Sequence, residues 1–142
     1  MKYIAGIKYQ LTEDEVIFTL LRPLHDIETE LISLTTMGVL TLRKYWCFDG
    51  PSGPVFDSWY LMIAAAAHDA GYLLLRQGLL PADWRERIDE EYDRLAKDRI
   101  AELPAWRRPL AIARMQLHDF GLWIGGVGSA DPANKRRVRE VL

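Results

Sequence analysis

The chain has 142 residues, of which 49% are hydrophobic and 27% charged, a balance typical of one compact globular domain and not of a disordered or fibrous chain. Its 18 basic and 20 acidic side chains leave a formal charge of −2. This net charge gives no reason to expect binding to nucleic acid or to an anionic membrane. The single cysteine, Cys47, excludes an internal disulfide and fits a reducing compartment. The N-terminus carries no apolar run of signal-peptide length, so we expect no secretion by that route.

The first third of the chain has the patterning of short β-strands. Alternating or continuous apolar residues predict strands over residues 16–21, 27–33 and 39–45. Pro23 and Gly38 lie in the turns expected between these segments. The sequence therefore predicts a small antiparallel sheet over about residues 3–48.

Residues 49–54, Asp-Gly-Pro-Ser-Gly-Pro, end the strand pattern because two prolines and two glycines continue neither a ladder nor a helix. A helix over about residues 57–77 follows, with Asp57 or Ser58 as its N-terminal cap and Gly78 after its last turn. This helix is apolar nearly all round, which predicts a central position in the fold. A polar pair in its middle makes it a buried helix rather than a membrane span.

Two further helices and a basic tail complete the pattern. The second helix is amphipathic, with apolar residues at spacings of four, four and three: Trp84, Ile88, Tyr92 and Leu95. The third runs from about Trp106 to Trp123, and a short helix after Asp131 carries the basic residues Lys135, Arg136, Arg137 and Arg139. We therefore expect an α+β fold in one domain over residues 1–142, with an N-terminal antiparallel sheet packed on a bundle of about three helices. The tail lacks interleaved aromatic residues, so it gives no strong nucleic-acid signal.

Each of the three histidines is followed directly by an aspartate: His25-Asp26, His68-Asp69 and His118-Asp119. Such a pair can supply metal ligands or an acid and a base. Only the middle pair lies in the buried helix, where unsatisfied polar groups are costly. The first pair is expected in a turn and the last near the end of the third helix, where neither needs a functional role. The middle pair is either a catalytic or ligand-binding site or a structural network that ties the helix to the preceding loop.

Other polar residues are expected beside His68. Tyr72 lies one turn later on the same helix face, and Asp49 could orient an imidazole, bind a cation or cap its own loop. Ser52 is a nucleophile only where a base reaches it. Asp89 borders the apolar stripe of the second helix and is the acid there that could point inward. Cys47, between two aromatic residues, is expected to be a buried and inert thiol.

A histidine-aspartate metal phosphohydrolase is one alternative for these residues. Such an enzyme needs an early helical histidine, a His-Asp pair and a later aspartate, and His25, His68-Asp69 and Asp119 follow that order. The context argues against it, because His25 lies in a predicted turn between strands and not in a helix.

The loop Asp49-Gly50-Pro51-Ser52-Gly53-Pro54, followed by His68-Asp69-Ala70-Gly71-Tyr72, resembles the domain of unknown function 1353 family. The family consists of small proteins found largely in tailed phages and prophages. Its pattern is Asp-Gly-x-Ser-x-Pro, then His-Asp-x-x-Tyr on a helix, then an aspartate on the next helix, for which Asp89 is the match here. This chain departs from the pattern at Pro51, Gly53 and Gly71, and we expect the last change to widen the space beside Tyr72. The resemblance implies a phage setting, in a host cytoplasm or a virion, and names no reaction.

Together these patterns predict a hydrolase-like or ligand-binding site formed by His68, Asp69, Asp49, Ser52 and Tyr72. His68 would be a general base or a metal ligand, and Tyr72 a hydrogen-bond donor. A divalent metal is the candidate cofactor, with His68, Asp69 and Asp89 as its candidate ligands. The competing hypothesis is a non-catalytic phage tail or assembly component, or an accessory protein that binds a phage or host protein, in which the same residues lock the loop onto the helix.

Overall fold

The computed structural model describes residues 9–50 and 59–117. Several predicted features lie outside these residues: the strand residues before Tyr9, Ser52 and its neighbouring prolines, the caps Asp57 and Ser58, His118-Asp119, and the basic segment after Asp131.

Six short strands in the described residues form two antiparallel sheets. The strands are β1 (Tyr9–Gln10), β2 (Glu15–Phe18), β3 (Ile27–Glu28), β4 (Ile32–Leu34), β5 (Val39–Leu42) and β6 (Cys47–Phe48). β1 pairs with β6, and the other four form a sheet in the order β2-β5-β4-β3. The predicted N-terminal antiparallel sheet is confirmed, as two small sheets rather than one.

All three predicted strands are shorter than expected, with 39–45 reduced to Val39–Leu42, and in the other two a threonine hydroxyl group closes a turn. The Thr29 hydroxyl donates to the Ile32 carbonyl at 2.8 Å and accepts from the Ile32 amide at 3.0 Å, which divides the segment 27–33 into β3 and β4. The Thr19 hydroxyl accepts from the Leu21 amide at 3.2 Å, just after β2 ends. The predicted lengths of these two strands were wrong. The alternation of apolar residues continues through a turn that a side chain closes, so the pattern does not show where the strand ends.

Gly38 makes the predicted turn before β5. Its φ is 84°, a left-handed conformation that glycine adopts without steric cost. Its amide donates to the Thr35 carbonyl at 2.9 Å, and its own carbonyl accepts from the Thr19 amide at 2.8 Å. The turn thus extends the pairing of β2 with β5 by one residue.

Three helices follow the sheets: α1 (Trp59–Arg76), α2 (Arg85–Ala101) and α3, which is helical over residues 108–117. The residues of α1 that form the middle of the core have zero exposure: Leu61, Ala64, Ala70 and Leu74. Gly78, with φ of 72°, ends α1 through two hydrogen bonds, from its own amide to Leu75 and from the Leu79 amide to Leu74, the pattern of a Schellman cap. The predicted α+β fold and the central first helix are confirmed, and no helix among the described residues is long and apolar enough to cross a membrane.

Gly71 lets α1 approach α2 closely. A Cβ atom at this position would lie 2.9 Å from Cγ2 of Ile88, a side chain that is 1% exposed. The space that we expected beside Tyr72 is therefore filled by Ile88, and that expectation was wrong. The consequence is that the middle of α1 and the first turns of α2 face each other at short range.

A partly buried ion pair on α2, Glu91 with Arg94, holds the end of β2. Glu91 is 4% exposed and forms a two-point pair with Arg94. Its Oε1 also accepts from the Leu20 amide at 3.1 Å, while Arg94 Nη2 donates to the Phe18 carbonyl at 3.0 Å. The side chains of Glu91 and Arg94 therefore hydrogen-bond to main-chain groups at the end of β2, an edge strand of the sheet.

Candidate functional site

His68 lies between two carboxylates at the interface of α1 and α2. Its side chain is 5% exposed, its Nε2 lies 3.0 Å from Asp89 Oδ1, and its Nδ1 lies 3.7 Å from Asp69 Oδ1. The ring also packs on Tyr72, with 4.2 Å between ring centroids, and meets Tyr92 edge to face at 5.8 Å. Carboxylates beside both ring nitrogens favour the imidazolium form of His68.

Three separate parts of the fold contribute to this cluster. α1 provides His68, Asp69 and Tyr72, and α2 provides Asp89. Asp69 Oδ2 accepts a hydrogen bond of 3.2 Å from the Asp49 amide, which attaches the residue after β6 to the helix. The loop, α1 and α2 are therefore joined through one set of polar side chains.

Asp89 is the best-oriented acid of the cluster. Its Oδ1 accepts the Tyr72 hydroxyl at 2.8 Å and faces His68 at 3.0 Å. Its Oδ2 lies 3.9 Å from Arg85 Nε, too far for a hydrogen bond, and the Asp89 side chain is 30% exposed. One oxygen is therefore fixed from the interior while the carboxylate as a whole stays accessible.

Arg85 closes the exposed side of the cluster. Its Nε donates to the Tyr72 hydroxyl at 3.2 Å, and its side chain is 27% exposed. Its two terminal nitrogens make no hydrogen bond to any other residue in the described ranges. The guanidinium is thus anchored at one end and open at the other.

Burial and neighbouring charges change the pKa values of His68 and Tyr72. Burial by itself lowers the pKa of His68, but the Asp69 and Asp89 carboxylates outweigh it, so the pKa is raised above the ordinary 6.5. Burial, together with the hydrogen bond to Asp89, raises the pKa of Tyr72 to about 12 against an opposing effect of Arg85. The two carboxylates therefore favour the protonated ring, and the phenol of Tyr72 is a neutral donor near neutral pH.

The raised pKa of His68 predicts a pH-dependent stability. Because folding favours the protonated ring, His68 adds to the free energy of unfolding. This contribution is fully present below pH 6.5 and is lost as the pH rises through the higher folded-state pKa. We expect the difference in unfolding free energy between the native protein and His68→Gln to shrink as the pH rises above 6.5, measured by urea unfolding at a series of pH values. His25→Gln, at an exposed position, is the matched control and should keep the native profile. Parallel curves for the native protein and His68→Gln would contradict this assignment.

Most of the predicted site residues come together. Asp49, His68, Asp69 and Tyr72 are linked as described, and Asp89 lies at the centre. Ser52 lies outside the described residues, so its role stays a prediction. Arg85 was not singled out in the sequence, although its position one turn before Asp89 was a usable signal.

The three candidate metal ligands do not converge. Asp69 and Asp89 lie beside different nitrogens of the His68 ring, so an ion bound to one nitrogen would be near only one of the two carboxylates. In residues 9–50 and 59–117, no group of three or more His, Cys, Asp or Glu side chains has an arrangement that could hold a metal ion.

The other candidate residues have local roles. Asp26 Oδ1 accepts from the Thr36 amide at 2.7 Å, a contact between two turns, and His25 is exposed. Cys47 is half-buried rather than buried, because its short strand lies at the edge of the two-stranded sheet. It accepts from Gln10 Nε2 at 3.4 Å and donates to the Tyr45 carbonyl at 3.3 Å. Neither region adds a group to the cluster around His68.

No family model, no curated protein and no solved structure matches the chain.

Proposed function

We propose that this chain is a phage- or prophage-encoded small domain with a hydrolase-like, ligand-binding site centred on Asp89. The observation that supports this most is the state of its carboxylate. Oδ1 is oriented by Tyr72 and His68 at 2.8 and 3.0 Å, while the side chain remains 30% exposed. A carboxylate that is fixed yet reachable is suited to accept a proton from an attacking water. The phage setting rests on the resemblance of the Asp49 loop and the His68 helix alone.

In this proposal the roles are divided between an exposed pair and a buried support. Asp89 accepts the proton, and the open end of Arg85 stabilises negative charge that develops on the substrate oxygen. His68 and Tyr72 position Asp89, and Asp69 holds the loop through the Asp49 amide. Both ring nitrogens of His68 face carboxylates and its side chain is 5% exposed, so the proposal assigns the general-base role that the sequence suggested for His68 to the more accessible Asp89.

Asp89→Asn is the direct test. The amide oxygen still accepts from Tyr72, so we expect the variant to fold while turnover falls by about 100-fold or more, in the range found for loss of a general base. The measurement is a panel of chromogenic ester, phosphoester and glycoside substrates, with a thermal-shift screen of small ligands. Asp93→Asn, one turn later on α2 and 37% exposed, is the matched control and should retain any activity or ligand response.

A second function is favoured by the completeness of the network, in which both ring nitrogens of His68 face carboxylates. In this alternative the chain is a non-catalytic tail, assembly or host-factor-binding protein, and the polar residues only join the loop to the helices. A large drop in melting temperature for Asp89→Asn, with no substrate turned over and no ligand bound by the native protein, would favour this alternative and contradict the enzyme proposal.

A further inference from the structure

The third helix has a second apolar face, on the side away from the core. α3 packs on the rest of the fold through Ala111 and Met115, which are 2% and 4% exposed. At 3.6 residues per turn, Leu110 and Leu117 lie on the opposite side of the helix, where they are 60% and 55% exposed. Large apolar side chains of α3 therefore remain in solvent although the helix is already docked.

This exposed face is wide. Trp106 lies one turn before Leu110, in the short 3₁₀ turn Ala105–Arg107, and is 75% exposed, while Ile112 is 41% exposed. Gln116 is a polar residue within this face. An α-helix usually buries an apolar face of this width against the core. We call this surface the α3 face; it consists of Trp106, Pro109, Leu110, Ile112, Ala113 and Leu117, all of them exposed.

Two arginine side chains border the α3 face along one edge. Helical geometry places Arg107 and Arg114 on the same side, two turns apart. The guanidinium carbon of Arg107 lies 4.7 Å from the centre of the Trp106 ring, and Arg114 Nη1 donates to the Tyr60 hydroxyl at 3.5 Å. Residues 103–117 contain no Asp or Glu, so α3 itself has no carboxylate that could pair with either arginine.

The rest of the described chain does not neutralise these two arginines either. Within residues 9–50 and 59–117 neither forms an ion pair with a carboxylate, whereas Arg43, Arg94 and Arg99 each do. Glu102, the carboxylate that precedes them in the chain, lies 3.3 Å from Arg99. The α3 face thus combines apolar side chains with unpaired cations, which suits a partner that has an apolar part and an anionic part.

A second copy of α3 and the two termini do not provide that anionic part. A second copy that packed through its own α3 face would bring the same arginines and no carboxylate, so like charges would meet. Residues 1–8 carry two lysines and no acid. Residues 118–142 hold more basic than acidic side chains, with Lys135, Arg136, Arg137 and Arg139 against Asp119, Asp131 and Glu140.

The size of the α3 face favours a membrane over a globular partner. An aromatic side chain offers about 150–250 Å², so Trp106 with three partly exposed aliphatic side chains offers on the order of 400 Å². A standard protein interface buries roughly 800 Å² on each partner and needs a matching shape. Insertion into the headgroup region of a membrane needs no matching surface and is favoured by each apolar group that leaves water.

We propose that the α3 face binds the surface of a membrane that contains anionic lipids. Trp106, Leu110 and Leu117 enter the boundary between headgroups and acyl chains, as the apolar faces of interfacial helices do. Arg107 and Arg114 extend from the edge of the face to the lipid phosphates. The contact is peripheral, and it is separate from the cluster around Asp89 and does not depend on it.

The probe is a pair of vesicle preparations, one of phosphatidylcholine alone and one in which about one third of the lipid is phosphatidylserine. We expect the native protein to sediment with the anionic vesicles in a saturable way and to bind the neutral vesicles about tenfold more weakly, because two arginines lose their anionic partners. Added salt should weaken the binding to the anionic vesicles.

The apolar part of the contact is tested by a paired change of Leu110→Gln and Leu117→Gln. We expect it to weaken binding to the anionic vesicles about tenfold or more. Both leucines are more than half exposed and glutamine is a good helix former, so the fold should persist, which circular dichroism checks. Leu24→Gln, at a 90% exposed leucine outside the α3 face, is the matched control and should bind like the native protein.

The charged part is tested by a paired change of Arg107→Gln and Arg114→Gln, which should reduce binding to the anionic vesicles about tenfold and leave binding to the neutral vesicles unchanged. Arg22→Gln, at another exposed arginine, is its matched control.

Three results would overturn the proposal. The first is no binding of the native protein to the anionic vesicles, and the second is equal binding by the native protein and the double leucine variant. The third is a dimer of the native protein in sedimentation without lipid that the two leucine changes abolish, because the α3 face would then be an interface between copies of the chain.

Discussion

Replacing Glu91 with alanine should destabilise the protein by about 2–3 kcal/mol, the upper part of the range for hydrogen bonds to a charged group, because Glu91 is buried while Arg94 is one third exposed and keeps Asp98 as a partner. The variant leaves the Arg94 guanidinium without its buried counter-ion and the Leu20 amide without its acceptor. Since a domain of this size is stable by only about 5–15 kcal/mol, this change removes a large part of the total. Guanidinium chloride unfolding at neutral pH measures it.

Asp98→Ala is the matched control for this prediction. Asp98 accepts from Nη1 of the same arginine at 2.9 Å but is 63% exposed, so its loss should cost at most about 1 kcal/mol. Similar effects of the two substitutions would show that burial of Glu91 does not govern the energy of the network.

Gly38→Ala should destabilise the protein by about 2–5 kcal/mol, the sum of a conformational and a steric cost. The positive φ of 84° costs an alanine about 1–2 kcal/mol, and the added Cβ would lie 2.3 Å from the Thr19 carbonyl oxygen. Because that atom is backbone, relief requires β2 to move away from the turn, and overpacking of this kind costs about 1–3 kcal/mol.

Gly78→Ala separates the two contributions. Gly78 has nearly the same φ, 72°, but nothing lies within 4 Å of an added Cβ, so only the conformational cost of about 1–2 kcal/mol applies. The two variants can be compared by thermal unfolding under identical conditions. Equal losses of stability would mean that the close approach of Gly38 to Thr19 relaxes without cost.

The elements with strong local signals could be predicted from the sequence. Gly38 and Gly78 mark places where the backbone needs positive φ, and the apolar run of α1 indicates its central position. The division of β3 from β4 could not be predicted by periodicity, because the Thr29 hydroxyl closes a turn within an alternating segment. A side chain that replaces a ladder hydrogen bond leaves the apolar pattern unchanged.

The candidate site could be predicted only in part, for a similar reason. His68 and Asp69 stand out because they interrupt an apolar helix, and Asp89 because it borders an apolar stripe. Glu91 was not singled out, yet it lies three residues after Ile88 and four before Leu95, which is the buried side of α2. Its partner Arg94 was not singled out either. Which charged residue on a helix turns inward depends on what the sheet presents to it, and no local pattern contains that information.

The arrangement of the His68 cluster also determines which forms of the chain can bind a ligand there. The bond from the Asp49 amide to Asp69 joins the loop to α1, and the contact of His68 with Asp89 joins α1 to α2. The cluster is therefore complete only where the loop, α1 and α2 are in place together. A molecule that binds it stabilises this state over every form in which one of the three is displaced.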